Sequence, residues 1–290
     1  MTQEKNRSFQ LVECPRDAMQ GWLKPISTEK KIEYLNALLR VGFDTLDFGS
    51  FVSAKAVPQM ADTAAVVSKL DLSQTNTRLL AIVANERGAE EALAFEQISF
   101  LGFPFSVSET FQRRNANSSI AESLTRVEEI HSICQKKGKK LVIYISMGFG
   151  NPYGDPYSEE LVFLWVDKMV SLGIGIISLA DTVGLAGPAQ VFSITDYLIR
   201  KFPDQQIGVH LHSRPENWRP KIDAAIRAGC KRFDGALKGI GGCPMAGDEL
   251  VGNMNSVFMI PYFQSLGTLP PMNEEALQKS VAIASEIFEH

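Results

Sequence analysis

The chain has 290 residues, 45% hydrophobic and 21% charged, an ordinary balance for a soluble globular protein and enough for one large α/β domain or two small ones. Its net charge of -4 gives no global field for nucleic acid or an anionic membrane, and the densest basic stretch, Lys136, Lys137, Lys139 and Lys140, reads as a solvated helix end. The start MTQEKNRSFQ has no apolar signal core, no apolar run approaches the roughly 20 residues of a membrane span, and Cys14, Cys134, Cys230 and Cys243 show neither framework nor CxxC spacing. A reduced, cytoplasmic protein without nucleic-acid or membrane partners is therefore expected.

In chain order, strands are predicted at 9–14 (FQLVEC), 45–51 (TLDFGSF), 78–84, 97–106, 141–147 (LVIYISM), 175–181, 207–212 (IGVHLH) and 232–237 (RFDGAL). Amphipathic segments lie between them. In STEKKIEYLNALLRVG, for example, Ile32, Leu35, Leu38 and Leu39 share a helical face and Gly42 suits the stop. Repeated strand and helix with short connections is the pattern of an α/β (β/α)8 TIM barrel. A doubly wound open sheet is the runner-up, but ECPRDAMQG stands where its Gly-rich phosphate turn belongs. No linker divides the chain, so one domain over 1–290 is predicted: a barrel over about 9–240, then carboxy-terminal helices and a mobile Cys-containing loop over the mouth at about 241–290.

Barrel chemistry gathers at the carboxy-terminal ends of the strands. Arg16, Asp17 and Gln20 end the first predicted strand, Asp47 and Ser50 lie on the second, Asp181 ends the sixth, and His210 and His212 lie on the seventh. Alternate residues of an extended chain share a face, so the two imidazoles enter one space about 6 to 7 Å apart. With the Asp17 carboxylate, and the Asn253 carboxamide from the covering loop, they form a donor set for a divalent cation, Mg2+ or Mn2+ ahead of Zn2+. An HxH pair alone is more often satisfied core; Asp17 on another strand shifts the balance toward metal.

Arg16 beside Asp17 reads either as a salt bridge closing the barrel or as a fixed guanidinium for a developing enolate oxygen. GIGGCPMAGDELVGN reads either as a flexible loop or as a hinged lid that brings the Cys243 thiol over the mouth. Spacing alone leaves both pairs of alternatives open.

Six stretches in order, ECPRDAMQ (13–20), DFGSFVSAKAVPQMAD (47–62), SETFQRRN (108–115), SLADTVGLAGP (178–188), VHLH (209–212) and GGCPMAGDELVGN (241–253), together resemble the 3-hydroxy-3-methylglutaryl-CoA lyase branch of the DRE-TIM metallolyases. The resemblance implies a barrel with a cation held by Asp17, His210, His212 and Asn253. It implies Arg16 at the enolate of the departing acetyl-CoA and Cys243 on a mobile catalytic loop. Asp47 stands where Glu is usual, assisting the metal-site water or the substrate, and Gln20 and Asp181 match polar positions of the site, which Ser50 joins from its place on the second strand. The implied reaction is divalent-metal-dependent cleavage of 3-hydroxy-3-methylglutaryl-CoA to acetoacetate and acetyl-CoA, the chemistry of leucine degradation and ketone-body formation, by a homodimer. Ala18 for the usual Gly, Ser213 after the histidine pair and Asn151 for a usual cysteine are departures. Alternatives are a lyase for a different 3-hydroxyacyl-CoA, an acetyl-CoA-dependent 2-oxo acid condensing enzyme of the isopropylmalate or citramalate synthase type, and a silent acyl-CoA- or metal-binding barrel.

Overall fold

A computed structural model, describing residues 8–242 and 251–289, closes eight parallel strands into a barrel in chain order. The strands are β1 (Gln10–Glu13), β2 (Thr45–Phe51), β3 (Arg78–Val83), β4 (Ile98–Ser106), β5 (Lys140–Ser146), β6 (Ile176–Ala180), β7 (Gln206–His210) and β8 (Arg232–Gly235). Ring closure sets Val12 of β1 opposite Asp234 of β8. The helices are α1 (Pro15–Gln20), α2 (Thr28–Leu39), α3 (Thr63–Val67), α4 (Glu86–Ala92), α5 (Glu109–Ala116), α6 (Ile120–Lys136), α7 (Glu159–Ser171), α8 (Pro188–Lys201), α9 (Trp218–Arg227), α10 (Ser256–Ser265) and α11 (Glu274–Ile287). Among the described residues, no helix is long and apolar enough to cross a membrane.

Local chemistry accounts for the helix limits. Ser27 caps α2 by accepting from the Lys30 N–H, Ser119 and Glu122 form a capping box on α6, and Gly42, at φ 102°, turns the chain from α2 into β2. Leu35, Leu38 and Leu39 of α2 are buried as their periodicity requires, and Ile32 packs at the edge of the same core. The α11 helix lies against α2, joined by the Lys30–Glu286 ion pair and by Phe288, just past its end, edge-on to Tyr34.

The barrel interior is uneven, and this places the site. Leu80, Ile82, Phe100, Val142, Tyr144 and Ile176 form an apolar cluster from β3 to β6. On the other side, β7 and β8 bury His210, Arg232 and Asp234. Charge in a closed barrel is costly unless the groups serve one another, so the polar side must be read as a connected set.

Several strand ends differ from expectation by one or two residues, and two of them bear on the site. The first strand stops at Glu13, and Pro15, whose fixed φ suits a first helical position, starts the short α1 that carries Arg16, Asp17 and Gln20. The seventh strand ends at His210; His212 lies beyond it in an isolated antiparallel bridge with Asn253.

Glu13 shows how the segments on either side of residues 243–250 are tied down. Its buried carboxyl accepts from the Leu237 N–H at 2.7 Å and from Ser256 Oγ at 2.5 Å, joining the end of β8 to the start of α10. Burial outweighs both hydrogen bonds and raises the carboxyl to about 8, against 4.5 for the ordinary group. The folded state therefore holds this proton where the unfolded chain has lost it, so the contribution to stability falls as pH rises from about 4.5 to about 8. Glu13→Gln is expected to remove that slope: its Tm should rise relative to wild type across the window, and parallel Tm–pH curves would count against it.

Candidate active site

The site starts on the single turn of α1. Gln20 lies four residues after Arg16 and three after Asp17, so it can meet both over one turn, and Arg16 Nη1 donates to Gln20 Oε1 at 2.8 Å and also to Asp17 Oδ1 at 3.1 Å. Gln20 Nε2 in turn donates to Asp17 Oδ1 at 2.8 Å. From β2, Asp47 takes the other edge of the guanidinium, accepting from Nη2 at 2.5 Å and from Nε at 3.1 Å. Burial alone would lower the Arg16 pKa, but Asp47 and then Asp17 outweigh it and hold the guanidinium fully charged. Burial would raise the Asp17 carboxyl; Arg16, followed by the two imidazoles and Asn253, brings it down to about 2.

The imidazoles of His210 and His212 are 5.3 Å apart between centroids. His212 Nδ1 faces the Val251 carbonyl at 2.8 Å, and since a carbonyl only accepts, Nδ1 carries the proton and Nε2 the lone pair. His210 Nδ1 is 3.2 Å from Asp234 Oδ2. Burial lowers both imidazoles; for His210 the Asp234 hydrogen bond and charge reverse the direction, whereas His212 stays lowered, with His210 adding to burial. Ligand atoms of Asp17, His210 and His212 all lie within 4.8 Å of one another.

Asn253 completes this cluster from the far side of the chain. Its Nδ2 donates to Asp17 Oδ2 at 2.7 Å and to the Ile240 carbonyl at 2.9 Å, while its buried Oδ1 has no hydrogen-bond partner. Gly241 makes this approach possible: at φ +109°, a Cβ on it would stand 2.5 Å from Asn253 Nδ2. One carboxylate, two imidazoles and an orphaned carboxamide oxygen, gathered in a buried space, fit a divalent cation.

Asp17 and the two imidazoles open onto a cavity of about 460 Å3, with Asn253 buried behind them. Arg16, Asp17, Gln20, His210 and His212 line it, and so does Ser50, whose Oγ has no hydrogen-bond partner. Arg114 and Arg126 also reach it. Asp47 is 1% exposed and lies behind Arg16. Asp181 departs from its expected substrate-facing place: its Oδ2 accepts from buried Lys221 at 2.9 Å and its Oδ1 from the Ala186 N–H at 3.0 Å. Because Lys221 also donates to the His212 carbonyl at 2.7 Å, Asp181 braces the segment behind the second imidazole. Cys243, read as the thiol of the loop over the mouth, lies outside the described residues.

Sequence reasoning missed Tyr144, which lines the cavity with its ring edge-on to His210, and Asp234. Tyr144 sits in LVIYIS, a run that reads as ordinary apolar strand. For Asp234 a signal exists, since Arg232 and Asp234 alternate onto one face of RFDG.

The HMGL-like family model matches residues 9–282. A hydroxymethylglutaryl-CoA lyase of Bacillus subtilis is 35% identical over 235 residues, 80% of this chain and 77% of that protein. The (R)-citramalyl-CoA lyase of Chloroflexus aurantiacus is 31% identical over 273 residues, 91% of this chain and 86% of its own length. Among solved structures, an HMG-CoA lyase from Acinetobacter baumannii in complex with coenzyme A and 3-methylmalate superposes with a TM-score of 0.90 at 30% identity, covering 100% of this chain and 94% of that one. With the barrel, the polar cluster at its mouth and a family match along nearly its whole length, the chain belongs to the HMGL-like family of carbon-carbon lyases.

Proposed function

We propose that this protein cleaves 3-hydroxy-3-methylglutaryl-CoA to acetoacetate and acetyl-CoA with a divalent cation, Mg2+ or Mn2+. The observation that carries this is the meeting, on one cavity, of the Asp17, His210 and His212 donors, with Asn253 bonded to Asp17 behind them, and an Arg16 guanidinium locked by Asp47. A cation held there by Asp17, His210, His212 and Asn253 would supply Lewis acidity that eases loss of the substrate's hydroxyl proton. Arg16, with its charge fixed in place, stabilises the thioester enolate oxygen as the bond between the second and third carbons breaks. Asp47, with its carboxylate on Arg16, aims that charge. The Cys243 thiol delivers the proton that turns the enolate carbon into the methyl of acetyl-CoA, and the proton released from the hydroxyl restores the thiol, so that none is gained or lost over the cycle. Arg114 and Arg126 put positive charge on the cavity wall, as the phosphates of an acyl-CoA require. As part of the same proposal the chain works as a homodimer in a reducing, cytoplasmic compartment, which suits the free, buried thiols of Cys14, Cys134 and Cys230.

Purified protein with 3-hydroxy-3-methylglutaryl-CoA and Mg2+ or Mn2+ is expected to release acetoacetate, and folded, metal-loaded protein that releases none would refute the assignment. The citramalyl-CoA lyase relative favours one second reading, the same bond cleavage on a different 3-hydroxyacyl chain. Pyruvate from citramalyl-CoA, in place of acetoacetate, would select it; free CoA appearing from acetyl-CoA and a 2-oxo acid would select the condensing direction instead.

A further inference from the structure

Arg232 and Asp234 alternate along β8 and so project together into the barrel, where their side chains are 1% and 0% exposed. The Arg232 stem lies over Gly208 of β7; a Cβ on that glycine would be 3.0 Å from Arg232 Cδ. Arg232 Nε is 4.0 Å from Asp234 Oδ1, and Nε, Nη2 and Oδ1 all lack hydrogen-bond partners, so charge attraction links the pair. A buried guanidinium is costly alone, and the Asp234 carboxylate offsets it. Burial pushes Arg232 down, yet the Asp234 charge brings it above its ordinary value. The other carboxylate oxygen, Oδ2, is the one 3.2 Å from His210 Nδ1.

We propose that Asp234, oriented by Arg232, fixes the tautomer of His210, making Nδ1 the N–H and leaving the Nε2 lone pair for the cluster with Asp17 and His212. Asp234 is thus a positioning residue for the cation site, and its effect on metal affinity rests on the metal reading above. A carboxylate has no proton to give, so the ring nitrogen facing it must donate. Among the described residues Cys14 and Tyr144 also stand by this imidazole, and neither brings a competing charge, because burial and then the neighbouring carboxylates push both groups well up. A carboxylate behind a ligating histidine orients the ring and raises its basicity, and losing it typically costs metal affinity about 10- to 100-fold.

Arg232 turns this into a sharp test. In Asp234→Asn the guanidinium, which has only donors, takes the single amide oxygen and leaves the amide NH2 facing His210 Nδ1. Nδ1 must then accept, the proton moves to Nε2, and the lone pair needed by the cation is lost. An isosteric Asn is therefore expected to harm Mn2+ affinity at least as much as Ala, by about ten-fold or more.

The experiment combines free-Mn2+ EPR titrations of wild type, Asp234→Asn and Asp234→Ala with 15N spectra of histidine-labelled, metal-free protein at a pH where every imidazole is neutral, His210 being identified by its loss in His210→Gln. Wild-type His210 is expected as Nδ1–H and that of Asp234→Asn as Nε2–H. A merely structural Asp234 predicts the reverse order, with Asn binding Mn2+ better than Ala; that order, or an Nε2–H wild-type His210, overturns the proposal. The wild-type tautomer decides even if neither variant folds. Wild-type protein that binds no Mn2+ refutes the metal reading instead, and the tautomer, which needs no metal, still judges Asp234.

Discussion

Arg16→Gln is expected to lower kcat by about two to three orders of magnitude, the usual cost of losing a preorganised group at developing negative charge. It is also expected to destabilise the fold by about 3 to 5 kcal/mol, because it strips the Asp47 and Asp17 carboxylates of the cation that balances them in a buried place. Those two effects have different origins, and a second substitution separates them. Asp47 is held by Arg16 and lies behind it, so Arg16→Gln with Asp47→Asn removes one of the two orphaned charges, leaving that of Asp17, and should recover about half of the lost stability. Turnover should stay at the level of the single variant. Steady-state kinetics with 3-hydroxy-3-methylglutaryl-CoA beside denaturant unfolding reads both quantities. Activity that returns with stability would make Arg16 a structural cation and nothing more.

The strands were legible because parallel strands covered on both faces are near-continuous apolar runs, and LVIYIS and IISLA are such runs. The exact end of the seventh was not. VHLH keeps its strand character past the last ladder residue, and only pairing with Asn253, far along the chain, shows where the sheet stops. Arg16, Asp17, His210 and His212 were legible as residue types at strand ends, and Asn253 as a carboxamide of the covering loop. What each side chain spends its hydrogen bonds on was not. Asp181 stands at a strand end like a site residue, but its partner is Lys221, which the WRPKIDAAIR pattern presents as an unremarkable helix lysine and the fold buries to 3% exposure. Asp234 reaches His210 only because β8 lies beside β7 in the closing barrel, an adjacency that the local sequence of RFDG does not record.

Asp17→Asn is expected to be the most damaging single-atom change in the molecule, lowering Mn2+ affinity and turnover each by about 100-fold or more. Asp17 accepts on both oxygens: Oδ1 from Arg16 and Gln20, and Oδ2 from Asn253 Nδ2. An amide has one acceptor and one donor end, so in either orientation an NH2 faces a donor, either the Arg16 guanidinium with Gln20 or the Asn253 carboxamide. The variant thus removes a ligand charge and also turns or expels a second candidate ligand. Stability follows a separate course. The folded carboxyl sits at about 2 against 3.8 in the ordinary group, a gap worth about 2 kcal/mol. Because the folded value is depressed, that contribution is present above pH 3.8 and is lost as pH falls through about 2. The stability gap between wild type and Asp17→Asn should therefore narrow on acidification over that range, while the loss of Mn2+ affinity, measured near neutrality by EPR, should not depend on it. A variant that keeps wild-type affinity for Mn2+ would show that Asp17 holds Arg16 and Asn253 in place without ligating, and the cation site would have to be rebuilt around the histidines alone.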